Sequence, residues 1–151
     1  MPGIIVGTDG SAHSLRALEW AIREAGIRCT SLTVLAVYQA LPDYWGAVTA
    51  PGAHALAEDA RKIAQEAADG LLDRLGAQSR PLSVTVQEAN GLPAQEILKA
   101  ADDMDADMIV VGARGAGGFK KLLLGSVSTH VTHHAHRPVV VVPAQLVTVG
   151  G

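Results

Sequence analysis

The sequence predicts a single α/β domain built around a parallel sheet. Five short apolar runs alternate with stretches of helical periodicity, most of the runs are continuously apolar, and turn-forming residues follow each one. Strands that alternate with helices require right-handed crossovers, which lay helices on both faces of a parallel sheet. Continuous apolar strands fit a sheet covered on both sides. A chain of 151 residues suits one domain, and one of this size buries roughly two-thirds of its unfolded surface.

The first run, Ile4-Ile5-Val6, stops at Gly7-Thr8-Asp9-Gly10. Ser11 or Asp9 then caps a helix in which Leu15, Leu18, Ile22 and Ala25 recur at helical spacing, and Gly26 is its expected stop. Leu32 to Val37 is a second strand, followed by the turn-rich loop YQALPDYWGAVTAPG. An alanine-rich helix from about His54 to Leu75 carries Ala60, Ala64, Ala67, Leu71 and Leu75 on one face. Leu82 to Glu88 alternates as a third strand, and Asn90-Gly91 turns the chain. Pro93 suits the first turn of a helix with Ala94, Ile97, Leu98 and Ala101 inward. Met108 to Val111 is the fourth strand. Val127, Val131 and Ala135 mark a helix opening near Ser126, and Val139 to Val142 form the fifth strand, stopped by Pro143.

Composition narrows the class. Hydrophobic residues make up 48% and the net charge is -3, which excludes disorder and offers nucleic acid no basic surface. No apolar run approaches the roughly 20 residues needed to span a bilayer, and no signal-peptide layout is present, so a cytoplasmic protein without membrane attachment is expected. The single cysteine, Cys29, permits no intrachain disulfide. Charge is unevenly placed: Met108 to Gly151 holds no Asp or Glu but contains Arg114, Lys120, Lys121 and Arg137, with four of the six histidines. Patchy solvated surface and an anion site both account for that.

The stretch IVVGARGAGGFKKLLLGS favours the anion site. It is not a Walker A loop, because Phe119-Lys120-Lys121 follows Gly118 where Gly-Lys-Ser/Thr is required. Nor is it the dinucleotide fingerprint, which belongs after the first strand. Glycines still let successive N–H groups converge on a phosphate, and Gly125-Ser126-Val127-Ser128 opens a helix whose positive end favours an anion. The Ser126 and Ser128 hydroxyls can add donors. Tight turns and a simple N-cap at Ser126 are the alternative. In open α/β sheets ligands bind beyond the carboxyl ends of strands where strand order reverses, so the loops Gly7–Ser11 and Gly112–Gly118 would flank one crevice.

Gly112-x2-Gly115-x9-Gly125-Ser126 resembles the nucleotide-binding signature of the universal stress protein family. IIVGTDGSAHSLRALEWAIREA, ADMIVVGARG and HRPVVVVP resemble that family too, so the likeness runs from about Gly3 to Pro143. The resemblance implies a five-stranded sheet in order 3-2-1-4-5, a domain over residues 1–143 with a short tail at 144–151, dimerisation, and adenine nucleotide binding. Asp9 and Gly112 would lie by the ribose with Thr8 beside them, and Val37 would meet adenine. Gly115, Gly117, Gly118, Gly125, Ser126, Val127 and Ser128 would surround the phosphates, with Arg114 close by. Asp9 as a simple N-cap remains the alternative for that residue. In that strand order Val139, Val140, Val141 and Val142 form an apolar edge, which a homodimer would cover.

Other features have bland readings. Lys120 and Lys121 could screen phosphate or form an exposed helix face. His130, His133, His134 and His136 read as a solvated helix face, since no Cys or carboxylate accompanies them, and no metal ligand is assigned. Any Mg²⁺ would arrive with a triphosphate. Tyr38, Tyr44, Trp45 and Phe119 cover the nucleotide, pack a dimer surface, or pack beneath the long loop. No general base or nucleophile stands out, and Ser126 has no evident activating partner, so no catalytic residue is named. The expected function is a dimeric ATP-binding stress-response or regulatory module. Binding of cyclic AMP or AMP, slow ATP hydrolysis, and an interaction module with an unused site are the rivals.

Overall fold

In a computed structural model, residues 2–39, 50–113 and 125–143 are described. Their elements run β1 (Ile4–Thr8), α1 (Ala12–Ile27), β2 (Ser31–Tyr38), α2 (Ala50–Leu75), a 3₁₀ turn at Ala77–Ser79, β3 (Ser83–Asn90), α3 (Pro93–Asp103), β4 (Met108–Gly112), α4 (Ser126–His134) and β5 (Val139–Val142). The strands form a five-stranded sheet in order β3-β2-β1-β4-β5, as the resemblance implies. Every pairing is parallel: Ile4 lies opposite Leu32 and Met108, and Val110 opposite Val140. The expected tail at 144–151 falls outside the described residues.

Strand alternation sends side chains to two cores. Ile4, Val6, Leu32, Val34 and Val110 pack beneath α1 and α2, through Leu18, Ala21, Ile22, Ala64 and Ala68. Ile5, Leu35, Ile109 and Val111 pack beneath α3 and α4, through Ala94, Ile97, Ala101 and Val131. Ile4, Ile5, Val6, Ile109 and Val110 are fully buried, which explains why β1 and β4 read as continuous apolar runs. The edge strands differ: β5 is only half-buried throughout, and β3 alternates half-buried with exposed residues.

Two helix boundaries depart from expectation. α2 begins at Ala50, earlier than His54, which places Pro51 in its first turn, where a missing N–H is harmless. α1 does not stop at Gly26 but runs to Ile27. Cys29 takes the left-handed conformation (φ 51°), with its amide donating to Gly26 O at 3.2 Å and the Thr30 amide to Ala25 O at 3.0 Å. This is a Schellman stop with cysteine where glycine is usual. Gly26 serves packing instead, since a Cβ there would meet the backbone carbonyl oxygen of Ser79 at 2.6 Å.

Candidate functional site

Strand order reverses between β1 and β4, because β2 flanks β1 on its other side. The turn after β1 is built by its own polar groups. Gly10 adopts φ 80°, which favours glycine. Ser11 is the N-cap of α1, accepting from the Ser14 amide at 3.2 Å, and Asp9 Oδ1 accepts from the Ser11 amide at 2.9 Å. Both residues offered for the cap therefore take part. The Gly10 amide donates to Thr8 Oγ1 at 3.2 Å, Ser14 Oγ donates to Ser11 O at 2.8 Å, and the two hydroxyls lie 2.9 Å apart. With the Ser14 proton committed to Ser11 O, Thr8 must donate to Ser14. Thr8 and Ser14, 7% and 6% exposed, thus hold the turn rather than offer donors outward.

Beyond the carboxyl ends of β1 and β4 opens a crevice of about 80 Å³. Thr8, Asp9, Val37, Gly112 and Val127 line it, all residues named from the sequence. Gly7, which opens the loop expected to flank the crevice, lines it as well, and so do Ser14, Pro93, Ile97 and Val111, which were not anticipated. Gly7 had a signal, since it interrupts an apolar strand. Pro93 and Ile97, four apart on one face of α3, had none beyond their helix. The walls are mostly apolar, and Asp9 is the one charged side chain among the described lining residues. The β1–β2 register ends at Thr8 opposite Ala36, so Val37 extends past β1 while β3 still flanks it through Ala89. Its β1 side is left open over the crevice.

The far rim is the start of α4. The Gly125 amide donates to Ala113 O at 2.6 Å, and Ser128 Oγ lies 3.0 Å from Gly125 O and 3.2 Å from Ala113 O. Ser128, 1% exposed, points into the fold and its hydroxyl fastens this neck instead of facing the crevice. Ser126 is exposed at the first position of α4, and Gly125, the N-cap residue, supplies no side-chain cap. The first-turn amides of α4 thus receive no side-chain acceptor from the N-cap residue. Gly125 has φ -74° and ψ 171°, an extended conformation open to any residue, so backbone freedom is not what glycine provides there. Arg114, Gly115, Gly117 and Gly118 lie outside the described residues, as do Phe119, Lys120, Lys121, Tyr44 and Trp45.

Of the Arg and Lys residues after Met108, Arg137 is the one described. Arg137 precedes β5, at the amino end of the sheet, and is 14% exposed. Its Nη2 donates to Asp102 Oδ1 at 2.9 Å, and its Nη1 donates to Ala106 O at 2.6 Å. Its charge locks the end of α3 and takes no part in the crevice. His130 and His134 stack on the exposed face of α4 with ring centroids 4.3 Å apart, and His134 Nδ1 lies 2.9 Å from His130 O. Among the described residues no group of three His, Cys, Asp or Glu side chains could hold a metal ion. No helix of the described residues is long and apolar enough to cross a membrane.

The model of the universal stress protein family matches residues 2–143. The chain belongs to the universal stress protein family. A universal stress protein of Mycolicibacterium smegmatis is 36% identical over 142 residues, covering 93% of this chain and 47% of the relative. This chain therefore spans about half the length of that relative and of the similar mycobacterial ones. A Thermus aquaticus universal stress protein is 35% identical and is matched over 96% of its own length, so the family also includes members of this size. A solved universal stress protein in complex with cAMP is 27% identical, with TM-score 0.63, covering 95% of this chain and 98% of the other.

Proposed function

We propose that this universal stress protein domain, residues 1–143 with 144–151 as a short tail, binds an adenine nucleotide, with ATP as the first ligand. The crevice at the strand reversal carries the reading. It is an apolar slot with one oriented carboxylate, beside a helix N-terminus that has no side-chain cap. A base is flat and apolar-faced, a ribose presents vicinal hydroxyls, and phosphate seeks backbone N–H groups. The assignment follows that division. Val37 meets adenine, Asp9 and Gly112 meet ribose with Thr8 bracing the turn, and phosphates lie toward Gly125, Ser126 and Val127. Ser128 fastens that rim from behind. Arg114, Gly115, Gly117 and Gly118 complete the phosphate cradle in this reading, and Mg²⁺ enters with the triphosphate. No general base or activated nucleophile lines the described crevice, so the domain binds nucleotide without efficient turnover, as a cytoplasmic regulatory homodimer joined along Val139 to Val142.

Cyclic AMP or AMP is the second reading, supported by the cAMP complex of the 27% identical universal stress protein. In this reading the crevice takes the nucleoside and leaves the number of phosphates open. Protein purified without added nucleotide and then heat-denatured should release an adenylate at about one per chain, and chromatography of that extract names the ligand. Recovery of none, with no calorimetric heat from ATP, AMP, cyclic AMP or adenosine, would leave the interaction-module reading.

A further inference from the structure

Gly7 and Ile97 bring α3 against the sheet beside the crevice. Gly7 lies two residues after Ile5 on the face of β1 that meets α3, in ordinary strand conformation. Glycine inside a strand weakens it, and no positive φ calls for glycine at this position. Space does. A Cβ on Gly7 would lie 2.5 Å from Ile97 Cδ1 and 3.1 Å from Ile97 Cγ1. The bare α-carbon therefore lets Ile97, 3% exposed, settle onto the strand backbone. Both residues line the crevice, and Pro93 stands one turn before Ile97 on the same face of α3.

We propose that the Ile97 side chain is the floor against which the base packs, and that its seat on Gly7 sets the depth of the slot. This rests on the nucleotide reading above and deepens it. The ligand class at this end is a planar heteroaromatic base held by apolar contact, because the surrounding walls are Val37, Pro93, Ile97 and Val111. Gly7 is a positioning residue that acts through Ile97. A methyl at Gly7 lifts Ile97 Cδ1 into the slot and makes it shallower, while the phosphate end is untouched.

The test is a cycle of Gly7→Ala, Ile97→Val and the double variant, each titrated calorimetrically with adenosine and with tripolyphosphate and followed by thermal melting. Gly7→Ala should lower adenosine affinity about tenfold or more, the scale of an overpacked site, with tripolyphosphate unchanged. Ile97→Val deletes Cδ1, the atom at 2.5 Å, and leaves only the milder 3.1 Å approach of Cγ1, so the double variant should regain most of the adenosine affinity. Ile97→Ala, which removes the floor, should weaken adenosine alone and supplies a second route should Gly7→Ala fail to fold. A folded Gly7→Ala that binds adenosine normally, a double variant without recovery, or equal loss of both ligands in step with melting would overturn the inference. So would an Ile97→Ala that binds adenosine as wild type does. Folded wild-type protein that binds no adenosine at all is a different result: it removes the nucleotide reading itself.

Discussion

The Gly125 amide donates to the carbonyl of Ala113 at 2.6 Å, so the chain returns to the sheet beside the point where it left β4. Ser128 Oγ, within reach of both the Ala113 and Gly125 carbonyls, fastens the same neck. Gly125 enters this neck through its backbone N–H and carbonyl, and its φ of -74° suits any residue. Gly125→Val should therefore fold with a melting temperature near wild type. If phosphates approach the first turn of α4, the added side chain should abolish ATP binding and leave adenosine affinity little changed. Circular dichroism and calorimetry read both outcomes, and a folded variant with normal ATP affinity would place the cradle elsewhere.

Asp9 is oriented before any ligand arrives, through the 2.9 Å bond from the Ser11 amide to its Oδ1. As a ribose acceptor it should matter to nucleosides and not to bare phosphate. Asp9→Ala should weaken adenosine and ATP about ten- to hundredfold, the worth of one charged hydrogen bond, with tripolyphosphate unaffected. Asp9→Asn keeps an acceptor for the Ser11 amide and separates ligand loss from loop damage. Equal losses for ATP and tripolyphosphate would return Asp9 to a simple capping role.

The β5 edge of the sheet has a defined polarity. Ile109 N donates to Pro138 O and Ala113 N to Val142 O, so even-numbered residues of β5 face β4, and the Val139 and Val141 backbone groups face outward. Val141→Pro removes an outward N–H and spares the ladder to β4, whereas Pro at Val140 or Val142 would break that ladder. Light scattering at micromolar concentration should give a dimer for wild type and a folded monomer for Val141→Pro. A monomeric wild-type chain would refute the edge-pairing proposal.

Cys29 occupies the left-handed position that ends α1, with φ 51°. A non-glycine residue there carries strain of about 1–2 kcal/mol, partly offset in Cys29→Gly by the greater freedom glycine has when unfolded. The substitution should raise stability by about 0.5–1 kcal/mol. Gly26→Ala, by contrast, drives a methyl into the Ser79 carbonyl and should lower it. Urea midpoints for the two variants should move in opposite directions, and movement of both the same way would contradict this reading of the helix end.

Apolar period, bounded by turn formers and prolines, located each described strand and main helix, because burial on one face or two is written into spacing. Ile4 to Val6 and Met108 to Val111 read as central strands since helices cover them on both sides. Turn chemistry located the crevice's near rim, as Asp9 and Ser11 hydrogen-bond within a few residues of themselves. Spacing says that a residue faces inward but not what it faces, and there the fold decided. Gly26 looked like a stop, yet it admits Ser79, whose approach no local pattern announces. Arg137 looked like part of an anion patch, but entering β5 at the amino end of the sheet puts it on Asp102 and the Ala106 carbonyl. Ile97 looked like core and is core, but only the docking of α3 on the bare backbone of Gly7 makes it a wall of the crevice. Contacts between elements distant in sequence follow from how their faces fit, and that fit exists only once the sheet has assembled.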